Sequence, residues 1–156
     1  MLLSPLIVCN AVISRASEEN LKDLTPLKLQ KLLYFISGRY IAESDGAPLF
    51  AENFVAWQLG PVLTSVYFEF KGFGSERITR YSCDANGIVY FPNSKSKINE
   101  LFFSVMNRQF KKYKKFSPSE LSALTHAEGS PWFTTNCNGV IENQKIYDYF
   151  KENVDK

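Results

Sequence analysis

A long central helix is predicted between Thr25 and Ile41, where the sequence reads TPLKLQKLLYFISGRYI. Thr25 followed by Pro26 is a helix-start signal, because threonine can cap the first turn and proline fits the first helical position. Apolar side chains then recur at helical spacing on two sides, one stripe holding Leu29, Leu32, Leu33, Ile36 and Tyr40 and the other Leu27, Tyr34 and Ile41. A helix that is apolar on two sides is expected to lie at the centre of the fold.

The segments that flank this helix carry further helix signals. Ser4-Pro5 predicts a short buried helix that ends in a polar stretch. Downstream, the short apolar run 53–57 is compatible with either a strand or a helix. Gly60-Pro61 is expected to start another helix, which Gly72 and Gly74 stop.

A β-hairpin is predicted between residues 78 and 91. Residues 78–83 alternate apolar and polar side chains, 84–87 read Asp-Ala-Asn-Gly, and 88–91 are rich in residues that favour strands. Two such runs separated by a turn sequence are typical of antiparallel pairing.

The last third of the sequence predicts three more helices, over 97–115, 118–127 and 144–152. The first is amphipathic, and its apolar side contains Phe102, Phe103, Met106, Phe110 and Tyr113. The second begins with the capping box Ser117-Pro-Ser-Glu120. The sequence therefore predicts an α+β fold that is mainly α, with about six helices and one hairpin, in one compact domain spanning residues 1–156.

Composition excludes several functional classes. Eighteen basic and sixteen acidic residues give a formal charge of +2, too small for nucleic-acid capture by the whole surface. Cys9, Cys83 and Cys137 form neither a disulfide framework nor a zinc cluster, and we expect reduced thiols in a cytoplasmic protein. The apolar N-terminus is too short to span a bilayer, so no membrane partner is expected. Aromatic residues reach 15% of the chain, a surplus that suits a protein-binding surface.

Catalysis would depend on His126, which is the only histidine. Cys137 could act as a nucleophile and Glu128 could orient the ring, so a hydrolase stays open as an alternative. No nucleophile elbow, HExxH or EF-hand pattern occurs, and Gly72-Phe-Gly74 lacks the P-loop spacing. We therefore expect no catalytic set, no metal and no cofactor.

A basic run near residue 110 is the strongest charge feature of the sequence. Arg108, Lys111, Lys112 and Lys115 fall on the side of the 97–115 helix that lies opposite its aromatic residues. This run is compatible with a solvated helix face, with a docking patch for an acidic protein, or with nucleic-acid binding. A DNA-binding regulator of winged-helix type, built from helices flanked by the hairpin, is therefore a second alternative.

Two blocks of sequence resemble the Panacea antitoxin family, also called SocA-like or phage-associated proteins. The first block is LKLQKLLY at 27–34, followed by FVAWQLGPV at 54–62 and by Val66-Tyr67. The second block is LSALTHAEGSPW at 121–132. Order, spacing and the rare Trp-x-x-Gly-Pro-Val string make the resemblance specific. Leu59 is a departure, since an aromatic residue, usually tyrosine, is expected before Gly-Pro-Val.

The resemblance implies an antitoxin that neutralises a toxin encoded beside it in a bacterial or prophage module. It also implies a toxin protein as partner and, by analogy with a proteolytic adaptor in the family, a ClpXP-type protease. Candidate toxin-binding residues are those of the matching motifs: Tyr34, Trp57, Gly60, Pro61, Val62, Tyr67, Thr125, His126, Pro131 and Trp132. Whether these residues form the interface or only the scaffold stays open at this point.

Overall fold

The computed structural model describes residues 2–153. Within this range the chain forms six α-helices, one antiparallel pair of strands and two 3₁₀ turns, Lys71–Phe73 and Lys97–Asn99. In chain order the elements are α1 (Pro5–Glu18), α2 (Pro26–Glu43), β1 (Val55–Trp57), β2 (Gly60–Val62), α3 (Thr64–Phe70), α4 (Glu100–Tyr113), α5 (Pro118–Thr125) and α6 (Asn143–Asn153). The predicted α+β class, mainly α, is confirmed. No helix of the described range has the length and apolar character needed to cross a membrane.

Helix α2 is the central element, as its two apolar stripes predict. The side-chain oxygen of Thr25 accepts a hydrogen bond from the Lys28 amide and caps the helix start. Helix α2 contacts the other five helices and β2. Five of its leucine and isoleucine side chains are buried in the core: Leu29, Leu32, Leu33, Ile36 and Ile41.

A glycine in α2 allows a close contact with α6 in the core. A Cβ atom added to Gly38 would lie 2.3 Å from the Phe150 ring of α6, so only glycine leaves room for this ring. The next residue, Arg39, donates a hydrogen bond of 2.7 Å to the Phe150 carbonyl. Helix α6 is thus attached to α2 by packing and by a buried polar contact.

The predicted hairpin at 78–91 is wrong, although its turn does form. The Asp84 carboxylate accepts hydrogen bonds from the amides of Asn86 and Ile88, but neither flank is a strand. Asn10 of α1 supplies the reason: its buried side chain bonds the carbonyls of Ser82 and Tyr90 and the Ser82 amide. One side chain therefore takes backbone groups that cross-strand pairing would need.

The strand pair lies instead at 55–62. The run 53–57, which the sequence left open as strand or helix, therefore contains a strand. Strand β1 pairs with β2 in the register Val55 to Val62, across a two-residue turn at 58–59. Residues 138–141 run along the other edge of β1, and the Ala56 amide donates a 2.9 Å hydrogen bond to Gly139.

The expectation that Gly60-Pro61 starts a helix is also wrong, because both residues belong to β2. Helix α3 begins at Thr64, where the Glu52 carboxylate accepts hydrogen bonds from the Thr64 hydroxyl and from the amide and hydroxyl of Ser65. A carboxylate from outside the helix satisfies its first turn, so no local cap is required. The predicted starts at Ser4-Pro5, Thr25-Pro26 and the capping box of α5 are confirmed.

Candidate functional site

Three consecutive carbonyls around the β1–β2 turn are bonded to side chains from residues 122–132. The Trp132 indole donates to the Trp57 carbonyl at 2.6 Å, and the Ser122 hydroxyl donates to the Leu59 carbonyl at 2.6 Å. Between them, His126 Nε2 lies 3.1 Å from the Gln58 carbonyl, which accepts from the Nε2–H tautomer. Side chains of the second motif block, 121–132, therefore hold the β1–β2 turn, which lies in the first block.

Helix α2 holds the next part of the same segment. Lys31 donates to the Pro61 carbonyl at 2.8 Å. Gln30 makes a pair of 2.9 Å hydrogen bonds with Leu63, donating to its carbonyl and accepting from its amide. Pro61 has no amide hydrogen to offer. These contacts occupy the outer edge of β2, where a further strand would otherwise pair.

Gly60 sits where the turn passes between α2 and α5. Its φ of +115° is in the region that favours glycine. A Cβ atom there would lie 2.5 Å from the Thr125 hydroxyl and 2.9 Å from Lys31 Cε. The glycine of the Trp-x-x-Gly-Pro-Val string is thus required by both backbone conformation and space.

Lys31 is an unusual electrostatic feature of the site. Its side chain is fully buried, and burial lowers the pKa of its ammonium to about 7. The acceptor within the described residues is the neutral Pro61 carbonyl, so no carboxylate offsets the loss of water. Near neutral pH this lysine holds the turn while its charge is only partly retained.

An apolar groove of about 340 Å³ opens beside the turn. We call it the turn groove, and its apolar lining consists of Pro26, Leu27, Trp57, Leu59, Val62, Val66 and Tyr67. The rings of Trp57 and Tyr67 meet edge to face with centroids 4.9 Å apart. Leu59, which lines the groove, is 55% exposed. Phe68 is 62% exposed, and its ring contacts that of Tyr67 with centroids 5.4 Å apart. Leu59, the departure from the expected aromatic, lies at the rim and not in the core.

The structure separates the motif residues proposed from sequence into three groups. Tyr34 lies in the core with 1% exposure, and its hydroxyl has no hydrogen-bond partner among the described residues. Its ring meets Phe35, Phe54 and Phe150 edge to face, and burial raises its pKa. The buried residues around the turn are Gly60, Pro61, Val62, Thr125 and Pro131.

Trp57, Tyr67, His126 and Trp132 retain contact with solvent. The His126 and Trp132 rings lie against each other with centroids 4.0 Å apart, and both hold the turn from the α5 side. His126 directly follows α5, and its ring bonds Gln58 of the β1–β2 turn, which is distant in the sequence.

The sequence analysis did not identify Gln30, Lys31 and Ser122, whose side chains donate hydrogen bonds to backbone carbonyls between residues 59 and 63. A signal for the first two was present, since Gln30-Lys31 is a polar pair between the core leucines Leu29 and Leu32. Ser122 carried no such signal, because a serine in an exposed-looking helix start is common.

The two alternative functions gain no support from this geometry. In the described part of the chain, the His126 ring is hydrogen-bonded to the Gln58 carbonyl and not to Cys137 or Glu128. The expected wing at 78–91 is not a strand pair.

The basic run is partly neutralised by a neighbouring carboxylate. Arg108 makes two hydrogen bonds to Glu43, of 2.9 and 2.7 Å, which raise the pKa of Arg108 and lower that of Glu43. Lys112 and Lys115 lie over the rings of their own neighbours, Tyr113 and Phe116. Lys111 is exposed. These side chains form a solvated helix face, as one of the sequence interpretations has it.

Comparison with known proteins was consistent with the motifs. Residues 29–133, more than half of the chain, match the family model described as antitoxin SocA-like, Panacea domain. The chain is similar to Antitoxin SocA of Caulobacter vibrioides (strain NA1000 / CB15N), with 32% identity over 130 residues. That alignment covers 80% of this chain and 66% of the relative, just under two thirds of its length. No solved structure matches. The matched range contains the turn, its donors and all of the named groove lining except Pro26 and Leu27, and the chain belongs to the family of SocA-like antitoxins with a Panacea domain.

Proposed function

We propose that this protein neutralises a toxin by binding it directly, and that the turn groove is the centre of the interface. The observation that carries the proposal is the convergence of both family blocks on one turn beside exposed apolar side chains. Leu59, Tyr67 and Phe68 are exposed there although each would be stabilised by burial. A turn held by five side chains is preorganised, which lowers the entropy lost on binding.

The energetics of neutralisation require anchors of this kind. Nanomolar affinity corresponds to about −12 kcal/mol, and a typical stable interface buries about 1,600 Å². Aromatic side chains near the centre of an interface supply most of such energy. Trp57, Tyr67 and Phe68 are the aromatic residues placed to do so, whereas Tyr34 is buried in the core. The proposed action requires no catalysis by this chain.

The test is co-expression with the adjacent gene. We expect the neighbour alone to stop growth, the pair to grow, and a complex to co-purify from the cytoplasm. A harmless neighbour, or one that stays toxic with no complex formed, would overturn the proposal. His126→Ala and Cys137→Ala are informative controls, because neutralisation that survives both removes the hydrolase alternative.

The same experiment distinguishes sequestration from delivery to a protease of the ClpXP type. With sequestration, the toxin accumulates in the complex. With delivery, the toxin level falls when this protein is present and recovers when the protease gene is deleted.

A further inference from the structure

We propose that the turn groove receives one face of an amphipathic helix of the toxin, whose apolar anchors are accompanied by an acidic side chain. This inference rests on the proposed function and specifies the form of the partner. The alternative mode, in which the partner adds a strand to the edge of the β1–β2 sheet, is excluded.

Strand addition is excluded because both edges of the β1–β2 sheet are occupied. On the β2 edge, Pro61 lacks an amide hydrogen and its carbonyl accepts from Lys31, while both backbone groups of Leu63 bond Gln30. On the β1 edge, the Ala56 amide and carbonyl bond residues 139 and 138. A partner strand would find no free backbone groups in this sheet.

The shape of the groove suits side chains of a partner segment whose backbone hydrogen bonds are already satisfied within that segment. Its walls come from three elements, with Leu27 on α2, Trp57 and Leu59 at the turn, and Tyr67 on α3. The groove volume of about 340 Å³ is at the lower end of the range for ordinary binding sites, so the groove accommodates a few side chains of a partner. An α-helix satisfies its own backbone hydrogen bonds and offers apolar residues at i, i+3 and i+4, so it can fill such a groove without backbone pairing.

The charges beside the groove favour an acidic flank on that helix. Lys71 is exposed, and its ammonium lies 5.1 Å from the centre of the Phe68 ring. The Phe68 ring in turn contacts the ring of Tyr67, which lines the groove, with centroids 5.4 Å apart. The nearby carboxylates are already engaged, Glu52 by the start of α3 and Glu69 by the Ser82 hydroxyl. The Lys71 ammonium, next to Phe68 and Tyr67, is therefore available to a carboxylate of the partner, which fixes the orientation of the helix.

The first experiment measures binding of the toxin encoded by the adjacent gene to four variants. Leu59→Ser, Tyr67→Ala and Lys71→Glu change the groove and its rim, and we expect each to raise Kd about tenfold or more. Leu124→Ser is the matched control, because Leu124 is a similarly exposed leucine on α5 outside the groove lining. It should change Kd by less than about twofold. Circular dichroism and thermal unfolding verify that all four variants fold.

The second experiment identifies the occupant. Hydrogen exchange of the complex locates the toxin segment that becomes protected, and a peptide of that segment is titrated into this protein. We expect apolar residues at helical spacing, at least one acidic residue, and a gain of helical circular dichroism on binding.

Three outcomes overturn the inference and leave the proposed function in place. They are a neutralising complex whose affinity the groove variants do not change, a bound peptide that stays extended, and a dimer of this chain alone that Leu59→Ser dissociates. If the unmodified protein fails to neutralise the toxin, the proposed function itself fails and the inference fails with it.

Discussion

The side chain of Gln30 bonds both backbone groups of Leu63, donating to the carbonyl and accepting from the amide, at 2.9 Å each. This is the pattern that a neighbouring strand would provide, supplied here by one amide from the central helix. Lys31, one residue later, bonds the Pro61 carbonyl two positions back along β2. Two adjacent side chains of α2 thus replace a missing strand at the edge of a sheet whose strands have three residues each.

Replacing Gln30 should therefore cost far more than its size suggests. Gln30→Leu leaves a buried donor and a buried acceptor of Leu63 without partners, and we expect the free energy of unfolding to fall by about 2–4 kcal/mol. Urea denaturation measures this change. Gln144→Leu on α6 is the matched control, because Gln144 is exposed and should change stability by less than about 0.5 kcal/mol. Equal effects at the two positions would contradict the role assigned to Gln30.

Gly60→Ala tests whether the turn needs glycine for space as well as for conformation. Strain at positive φ and overlap with Thr125 and Lys31 should together lower the free energy of unfolding by about 2–4 kcal/mol. Gly87 also has a positive φ, but an added Cβ atom there meets nothing within 4 Å. Gly87→Ala should cost only about 1 kcal/mol, and a similar loss for both variants would show that crowding at Gly60 is negligible.

Lys31 should make stability rise with pH above neutrality. The folded state holds its pKa at about 7, whereas the ordinary value in the unfolded chain is 10.5. Between these values the unfolded chain binds more protons, so raising the pH stabilises the folded state, and below pH 7 this gain is absent.

We expect the free energy of unfolding of the natural protein to increase, relative to Lys31→Met, by about 1 kcal/mol per pH unit between pH 7.5 and 9.5. Comparing the two proteins at each pH cancels the titration of cysteines and tyrosines, which both share. Parallel stability curves would show that Lys31 keeps an ordinary pKa in the folded state.

The buried hydroxyl of Tyr34 should be dispensable for folding. It has no hydrogen-bond partner among the described residues, so Tyr34→Phe removes an unsatisfied polar group and should raise stability by about 1 kcal/mol. Tyr34→Leu instead loses three edge-to-face ring contacts and should lower stability by about 2 kcal/mol. Thermal unfolding of both variants distinguishes these effects, and a loss of stability in Tyr34→Phe would reveal a hydrogen bond to the hydroxyl.

The candidate site was predictable in its members but not in their roles. Trp57, Gly60, His126 and Trp132 could be named from the motifs, and they do meet at one turn. Whether a motif residue bonds the turn, lies in the core or stays exposed depends on contacts between positions about 70 residues apart. The bond between Trp132 and Trp57 is an example. Periodicity and spacing carry no information about such contacts.

The sequence by itself determined where α1, α2 and α5 begin, because the signals that encode these starts act within a single turn. The Thr25 cap and the box at Ser117 bond residues three positions away, and proline at the first helical position needs no partner for an amide hydrogen. Only the tertiary structure decided which extended segments pair. A backbone group in an extended segment must find its hydrogen-bond partner elsewhere in the chain. The Asn10 side chain bonds the carbonyls of Ser82 and Tyr90, so these segments do not pair with each other. Gln30 and Lys31 bond the outer edge of the strand pair at residues 61–63.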